Sequence, residues 1–459
     1  MKKAKRQVPV SKNKNYTIKI HDLGARSEGI GKIEDFTIFV DKALPGDLVE
    51  VSIVHIRKNF AFGKIIKIIE PSPYRREAKC QVADKCGGCQ LQHFTYEGQL
   101  EYKRKKVKDS LERIGKIEDV RVNPVIGMET PYFYRNKAQF PVAKKDGKVE
   151  IGFYAPRSHN IVDTDTCDIQ HESNTEIIKI VRDFLEENDI SIYDEVKHKG
   201  LVRHILTKVG FKTGEIMVCL VINGESLPYS DKLVNKLRLV DGVTSIALNH
   251  NKKKGNVILG PRVTNLHGKN YIRDYIDDIQ FEISPLSFFQ VNPIQTEILY
   301  EKVLEYAQLS GDEIVWDAYC GIGSISLFLA KKAKKVYGVE VIKQAIEDAR
   351  RNAKINKIEN AEFIVGLAEE VIPEKFEKEG IKSDVIVVDP PRKGCDESLL
   401  ATIVEMHPKR LVYVSCDPGT LARDLKYLTE KGFKVREVQP VDLFPQTGHV
   451  ECVVLMEQE

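Results

Sequence analysis

The sequence predicts an α/β protein with a carboxy-terminal, Rossmann-like, doubly wound domain, an amino-terminal OB-like β-barrel and an α+β region between them. Three observations carry this. From about Asp312, strand-like runs alternate with helical ones: EIVWDAY, GIGSISLFLAKK, KKVYGVE, IKQAIEDARRNAKIN, AEFIVG, SDVIVVDPP and RLVYVSC. That alternation is the pattern of βαβ units sharing a mostly parallel sheet. Between Tyr16 and Glu70, short β runs broken by glycines have the spacing of a small barrel. A chain of 459 residues also exceeds one compact core.

The order along the chain follows. Residues 1–15 form a basic arm, and the first 19 residues hold seven Lys/Arg and no acid. Such an arm suits RNA phosphates or serves as a solubilising tail. Residues 16–72 form the barrel, with ALPGD as a turn and Pro71-Ser72-Pro73 as a boundary. The central region takes 73–95 and 125–285, where KVEIGFYA, LVRHILTKVG and GEIMVCLVING read as strands. Residues 96–124 form a helical segment packing on the carboxy-terminal domain. Its stripe is Val107, Leu111 and Ile114, and Lys103, Arg104, Lys105, Lys106 and Lys108 are expected on its solvated faces. Residues 286–459 form the doubly wound domain, closed by a hairpin of FKVREVQPVDLF and HVECVVLME.

Composition is that of a soluble globular protein, 42% hydrophobic and 30% charged with a net charge of +3. No apolar run approaches the ~18 residues of a membrane span, and the basic start lacks the apolar stretch of a secretory signal. A cytoplasmic monomer without a membrane partner is expected, with nine cysteines that do not form structural disulfides.

The first βα turn, Asp317-Ala-Tyr-Cys-Gly321-Ile-Gly323-Ser324, lacks the third glycine of a dinucleotide fingerprint. Glu340 ends the next strand, where an acid can accept hydrogen bonds from ribose hydroxyls. Strand, turn, helix, strand and acid in this order point to S-adenosylmethionine. Asp389-Pro-Pro-Arg392 ends a later strand at the same edge, and Asp389 is either a site residue or a turn cap. Arg392 stands where amino-group methyltransferases often carry an aromatic. Cys416 follows the apolar run Leu411–Ser415, at a strand's carboxyl end. Cys320, Cys395 and Cys452 read as packing residues.

Together, Phe288-Phe-Gln-Val-Asn292, Asp317-x-Tyr-Cys-Gly-x-Gly, Asp389-Pro-Pro-Arg, Ser415-Cys-Asp-Pro and His449-Val-Glu451 resemble the RNA uracil-5 methyltransferases over Phe288 to Glu451. The resemblance implies that Cys416 is the nucleophile and Glu451 the base. It implies donor contacts from Gln290, Tyr319, Ser324, Glu340 and Asp389, and stacking of Phe288 on the target base. Uracil C5 is a poor nucleophile, and thiolate addition at C6 activates it. The run Tyr132-Phe-Tyr-Arg-Asn-Lys-Ala-Gln139 suits base stacking or an aromatic core.

Cys80, Cys86, Cys89 and Cys167 form a quartet able to hold zinc or an iron–sulfur cluster, or else are buried independently. A radical mechanism ordinarily uses three cysteines, so a fourth argues against it. The quartet resembles that of the ribosomal-RNA branch of the family, where it binds a 4Fe-4S cluster. GIGKI and ALPGDLVEVSI resemble the TRAM module. These resemblances imply methylation of 23S rRNA at conventional position 747, 1939 or both. The alternatives are a tRNA uridine-54 enzyme and an RNA-binding assembly factor with a silent methyltransferase fold.

Overall fold

The computed structural model describes residues 8–458, so residues 1–7 of the basic arm lie outside the described residues. Strands β1 (Asn15–Leu23), β2 (Gly29–Ile33), β3 (Phe36–Val40), β4 (Leu48–Ile56) and β5 (Phe60–Glu70) close into a barrel in the order β1-β2-β3-β5-β4. Ile18, Ile20, Ile38, Val40, Val49 and Val51 alternate inward and fill it. At its mouth the buried Asp47 accepts the Leu44 and Ser72 amides, at 2.7 and 2.8 Å, and both Nε and Nη2 of Arg75.

Helix α1 (Tyr96–Ser110) is capped by Thr95 and runs into a π-helical turn, Leu111–Gly115. Val107 and Leu111 enter the core of the carboxy-terminal domain, but Ile114 is 48% exposed. The expected stripe fails there because the wider π turn rotates the helix surface out of phase. The expectation of solvated basic residues holds at Arg104, Lys105 and Lys108, which are exposed, and fails at Lys103, which is fully buried.

The central sheet has seven strands in the order β12-β11-β10-β9-β6-β7-β8. These are β6 (Lys137–Lys145), β7 (Lys148–Tyr154), β8 (Ile161–Asp163), β9 (Val202–Val209), β10 (Ile216–Ile222), β11 (Val243–His250) and β12 (Arg262–Gly268). Helices α2 (Ser173–Glu187) and α3 (Ser230–Leu237) bury their apolar stripes in the same core cluster. A hairpin, β13 (Ile272–Ile276) and β14 (Ile279–Ile283), leads to the last domain.

There, α4 (Pro293–Ala307) precedes β15 (Ile314–Ala318), α5 (Ser324–Ala330), β16 (Lys335–Glu340), α6 (Lys343–Ile355) and β17 (Ala361–Val365). Next come α7 (Ala368–Glu379), β18 (Val385–Val388), α8 (Glu397–Met406), β19 (Arg410–Ser415) and α9 (Pro418–Thr429). Strands β20 (Phe433–Val441) and β21 (Glu451–Gln458) form the closing hairpin. The order is β17-β16-β15-β18-β19-β21-β20, parallel through β19 and antiparallel beyond it. Val387 and Ile386, adjacent on β18, face opposite core clusters, so the sheet is covered on both sides. No helix among the described residues is long and apolar enough to cross a membrane.

Burial pushes the Asp47 carboxyl up, but hydrogen bonds from Arg75 and two amides outweigh it and leave the pKa below the usual value. A depressed folded pKa gives stability that is present above the unfolded value of about 3.9 and lost as pH falls through the folded one. Asp47→Ala in the full chain should cost about 3 kcal/mol by leaving Arg75 unpaired. Thermal melts at pH 7 and at pH 3 check this: the variant should be the weaker at pH 7, and the gap should shrink at pH 3.

Candidate active site

In a doubly wound sheet, ligands sit beyond the carboxyl ends of the strands, where the order reverses. Here the reversal lies between β15 and β18. Tyr319, Glu340, Asp389 and Cys416 all fall at strand carboxyl ends along this edge. Strand β21 runs the other way, so its first residue, Glu451, arrives at the same edge. Ser415 pairs with Cys452. Extending that antiparallel register by one residue sets Cys416 beside Glu451.

The β15–α5 turn is shaped for close approach. Tyr319 has φ of 69°, which a bulky side chain rarely adopts. At Gly323, φ is 82° and a Cβ would come within 2.9 Å of the Phe363 ring. Asp317 is buried, and its Oδ2 accepts the Ser326 hydroxyl at 2.5 Å. Its Oδ1 has no partner among the described residues. Burial drives Asp317 up to about 7 against the Ser326 hydrogen bond, and the charges of Asp389 and Glu340 add to the rise. Glu340 accepts the Ile342 amide at 2.9 Å. Ser324, expected to meet a donor, shares a 2.8 Å hydrogen bond with the phenol of Tyr300.

Cys416 is half-buried, and Asp417 after it caps α9 by accepting the Gly419 and Thr420 amides at 2.8 and 3.1 Å. The cap fixes the turn that carries the thiol. Burial, then the charges of Glu451 and Asp389, push Cys416 up to about 11, while Arg392 opposes. Burial and Asp389 push Glu451 up to about 8, again against Arg392. Asp389 rises to about 6 through burial. His449 falls to about 4 through burial and the positive charges of Arg392, Lys106 and Lys103. Carboxyls with raised pKa values beside a thiol suit proton transfer coupled to nucleophilic addition, while the thiol itself must lose its proton before it adds. Cys320, Cys395 and Cys452 are buried.

Phe288 is 66% exposed, whereas its neighbour Phe289 is 6% exposed and in the core. Lys208 Nζ holds their loop by donating to the Ser284 and Ser287 carbonyls, each at 2.7 Å. The Asn136 side chain donates to the carbonyl of Gln290 at 2.9 Å. Two residues on, Asn292 donates to Leu443 in the β20–β21 connection at 3.0 Å, tying this loop to the strand of Glu451. The aromatic run divides. Tyr134 is core and donates to the Pro445 carbonyl, while Tyr132 and Phe133 face the Lys79 ammonium at 4.7 and 4.6 Å.

Cys80, Cys86, Cys89 and Cys167 line one cavity of about 290 Å³ together with Arg135 and Lys137. All four are free thiols. Burial raises them, Cys89 to about 11 and Cys167 to about 12. Among the described residues no three His, Cys, Asp or Glu form a preformed metal cage. Four thiols around a roomy cavity, with cationic side chains in its wall, fit a bulky anionic cluster better than a single ion, which would draw its ligands together.

Sequence reasoning did not assign roles to Asp317, Tyr300 or Lys208. Asp317 stood inside a quoted motif, which could have singled it out. The other two lie in helix and strand runs with nothing to distinguish them.

With the thiol at about 11, alkylation of Cys416 by iodoacetamide should be slow at pH 7 and accelerate up to that value. Glu451→Gln should shift the profile to lower pH by removing a nearby negative charge. Peptide mass spectrometry across a pH series reads both, and identical profiles would remove Glu451 from the surroundings of the thiol.

Residues 9–66 match the TRAM domain, and residues 95–459 match the tRNA (Uracil-5-)-methyltransferase family. A protein of Clostridium tetani described as an uncharacterized RNA methyltransferase is 56% identical over 453 residues, 98% of each chain. One of Bacillus cereus with the same description is 53% identical over 449 residues, 98% of this chain and 97% of its own. The crystal structure of Pyrococcus abyssi tRNA (uracil-54, C5)-methyltransferase in complex with S-adenosyl-L-homocysteine is similar at 31% identity and a TM-score of 0.77. The match covers 96% of this chain and 100% of that one. By these matches over most of its length, the chain belongs to the tRNA (Uracil-5-)-methyltransferase family and begins with a TRAM barrel.

Proposed function

We propose that the protein methylates C5 of uridine in 23S rRNA, at position 747, 1939 or both, in the cytoplasm and as a monomer. The observation that carries the chemistry is Cys416 beside Glu451 at the sheet edge, with Asp389 near both. Bound S-adenosylmethionine supplies an electrophilic methyl group. Gln290, Tyr319, Ser324, Glu340 and Asp389 would hold it in the crevice, and the unpartnered Oδ1 of Asp317 is a further acceptor there. Cys416, having given its thiol proton to solvent, adds through Sγ to uracil C6, and the electron pair released to C5 takes the methyl as the bond from that methyl to the donor sulfur breaks. Glu451 then removes the C5 proton, the C5–C6 double bond re-forms and the Cys416 thiolate leaves. A carboxylate raised to about 8 is well matched to accept that proton near neutral pH.

The exposed Phe288 offers a face on which a base flipped out of folded RNA can stack. Cys80, Cys86, Cys89 and Cys167 would hold a 4Fe-4S cluster, cross-linking the loop of residues 80–89 to Cys167. The TRAM barrel and this quartet support the ribosomal substrate. The Pyrococcus abyssi neighbour supports a second reading, methylation of tRNA uridine 54.

Cys416→Ala should lower transfer by more than about 10,000-fold and abolish the covalent RNA adduct. Glu451→Gln should instead accumulate the adduct, which denaturing gels read directly. Mass mapping of RNA from a deletion strain separates the substrates. Loss of 5-methyluridine at 747 or 1939 supports the first, and loss at tRNA position 54 with both rRNA positions unchanged replaces it with the second.

A further inference from the structure

The connection between β20 and β21, residues 442–450, delivers Glu451 and is gripped by one face of α1. Gln99, Lys103 and Lys106 stand at i, i+4 and i+7, a single stripe. The Gln99 side chain holds Gln446 twice: its Nε2 donates to Gln446 Oε1 at 3.0 Å and its Oε1 accepts the Gln446 backbone N–H at 2.9 Å. Lys103 Nζ donates to Asp442 Oδ1 at 2.6 Å and to the Phe444 carbonyl at 3.0 Å. Lys106 Nζ donates to the Gly448 carbonyl at 2.7 Å. Tyr96 completes the site by donating to Asp442 Oδ2 at 2.9 Å.

Lys103 and Asp442 are both fully buried. A buried ion pair is a weak source of stability, since apolar residues of equal volume often do as well or better. What the pair supplies is direction. One ammonium fixes a carboxylate and a carbonyl two residues apart on the strap. Cys416 is held by the β19 ladder, whose partner β21 carries Glu451, and by the Asp417 cap, which lies outside the strap. The two reacting groups therefore share the β19–β21 ladder, and the segment leading into Glu451 has a further support in the side chains of α1.

We propose that Lys103 is a positioning residue for the proton-removal step, fixing through Asp442 and Phe444 the strap that sets Glu451 beside Cys416. The inference rests on the reading of Glu451 as the base. It predicts a change in how the reaction partitions. In Lys103→Met, addition and methylation proceed while elimination stalls. The methylated RNA–enzyme adduct then accumulates as in Glu451→Gln, and kcat falls by about 100-fold for a displacement on the order of 1 Å. KM for RNA and donor affinity stay near wild type.

The test is adduct accumulation on denaturing gels beside single-turnover kinetics, per folded enzyme, in wild type, Lys103→Met and Lys106→Met. Lys106 is only partly buried, so its variant reports if Lys103→Met does not fold, and it should shift the partition in the same direction by a smaller factor. A lowered Tm with unchanged turnover and no added adduct would assign Lys103 to stability alone and overturn the inference. For an unfolded Lys103→Met, a wild-type partition in Lys106→Met overturns it equally. If wild type itself forms no 5-methyluridine or no adduct, the proposed function fails instead, and that outcome is read before any variant is compared.

Discussion

The site depends on one pairing, the antiparallel insertion of β21 beside β19 in an otherwise parallel sheet. Parallel strands alone bring only their carboxyl ends to the ligand edge. Reversing β21 brings the start of a strand there and puts a carboxylate next to a thiol. A slip of one residue would turn Glu451 to the other face of the sheet. Beyond Glu451 the strand is buried on both faces, with Cys452, Val454 and Met456 in one core and Val453 and Leu455 in the other.

The second constraint is electrostatic. Asp317, Asp389 and Glu451 share one edge with Cys416, and all four are raised, chiefly by burial. Like charges held in a dry crevice suit a cationic ligand, which offsets them on arrival. A sulfonium carries that charge and loses it when the methyl leaves. The resting thiol is protonated and comparatively inert, which limits reaction outside the assembled complex.

Much of this architecture was legible because it rests on periodicity and local turns. The barrel strands, the βα alternation and the closing hairpin each show in short windows, and the residues at the strand ends show in compact motifs. Side chains whose partners are remote in sequence did not show. Lys103 sits in a run of basic residues and reads as solvated, because Asp442 is 339 positions away. Ile114 keeps the helical period in sequence and loses it in space through the π turn. The sequence grouped the four cysteines, and folding places them around one cavity, but their spacing carries no information on what fills it.

The grip on residues 442–450 also bears on how the chain is made. Besides α1, the backbone amides of Gln90 and Leu91 donate to the Gln446 carbonyl, and Arg76 donates to its side chain. Segments that leave the ribosome early therefore wait for one some 339 positions later. Until Asp442 emerges, Lys103 is an ordinary solvated lysine, as its sequence suggests. Contacts of such long range form late. The helix takes its buried position only when the strap arrives, so a chain cut short before the final hairpin lacks the base and also the partners of the helix that supports it. Burial of the helix and assembly of the active site become a single event.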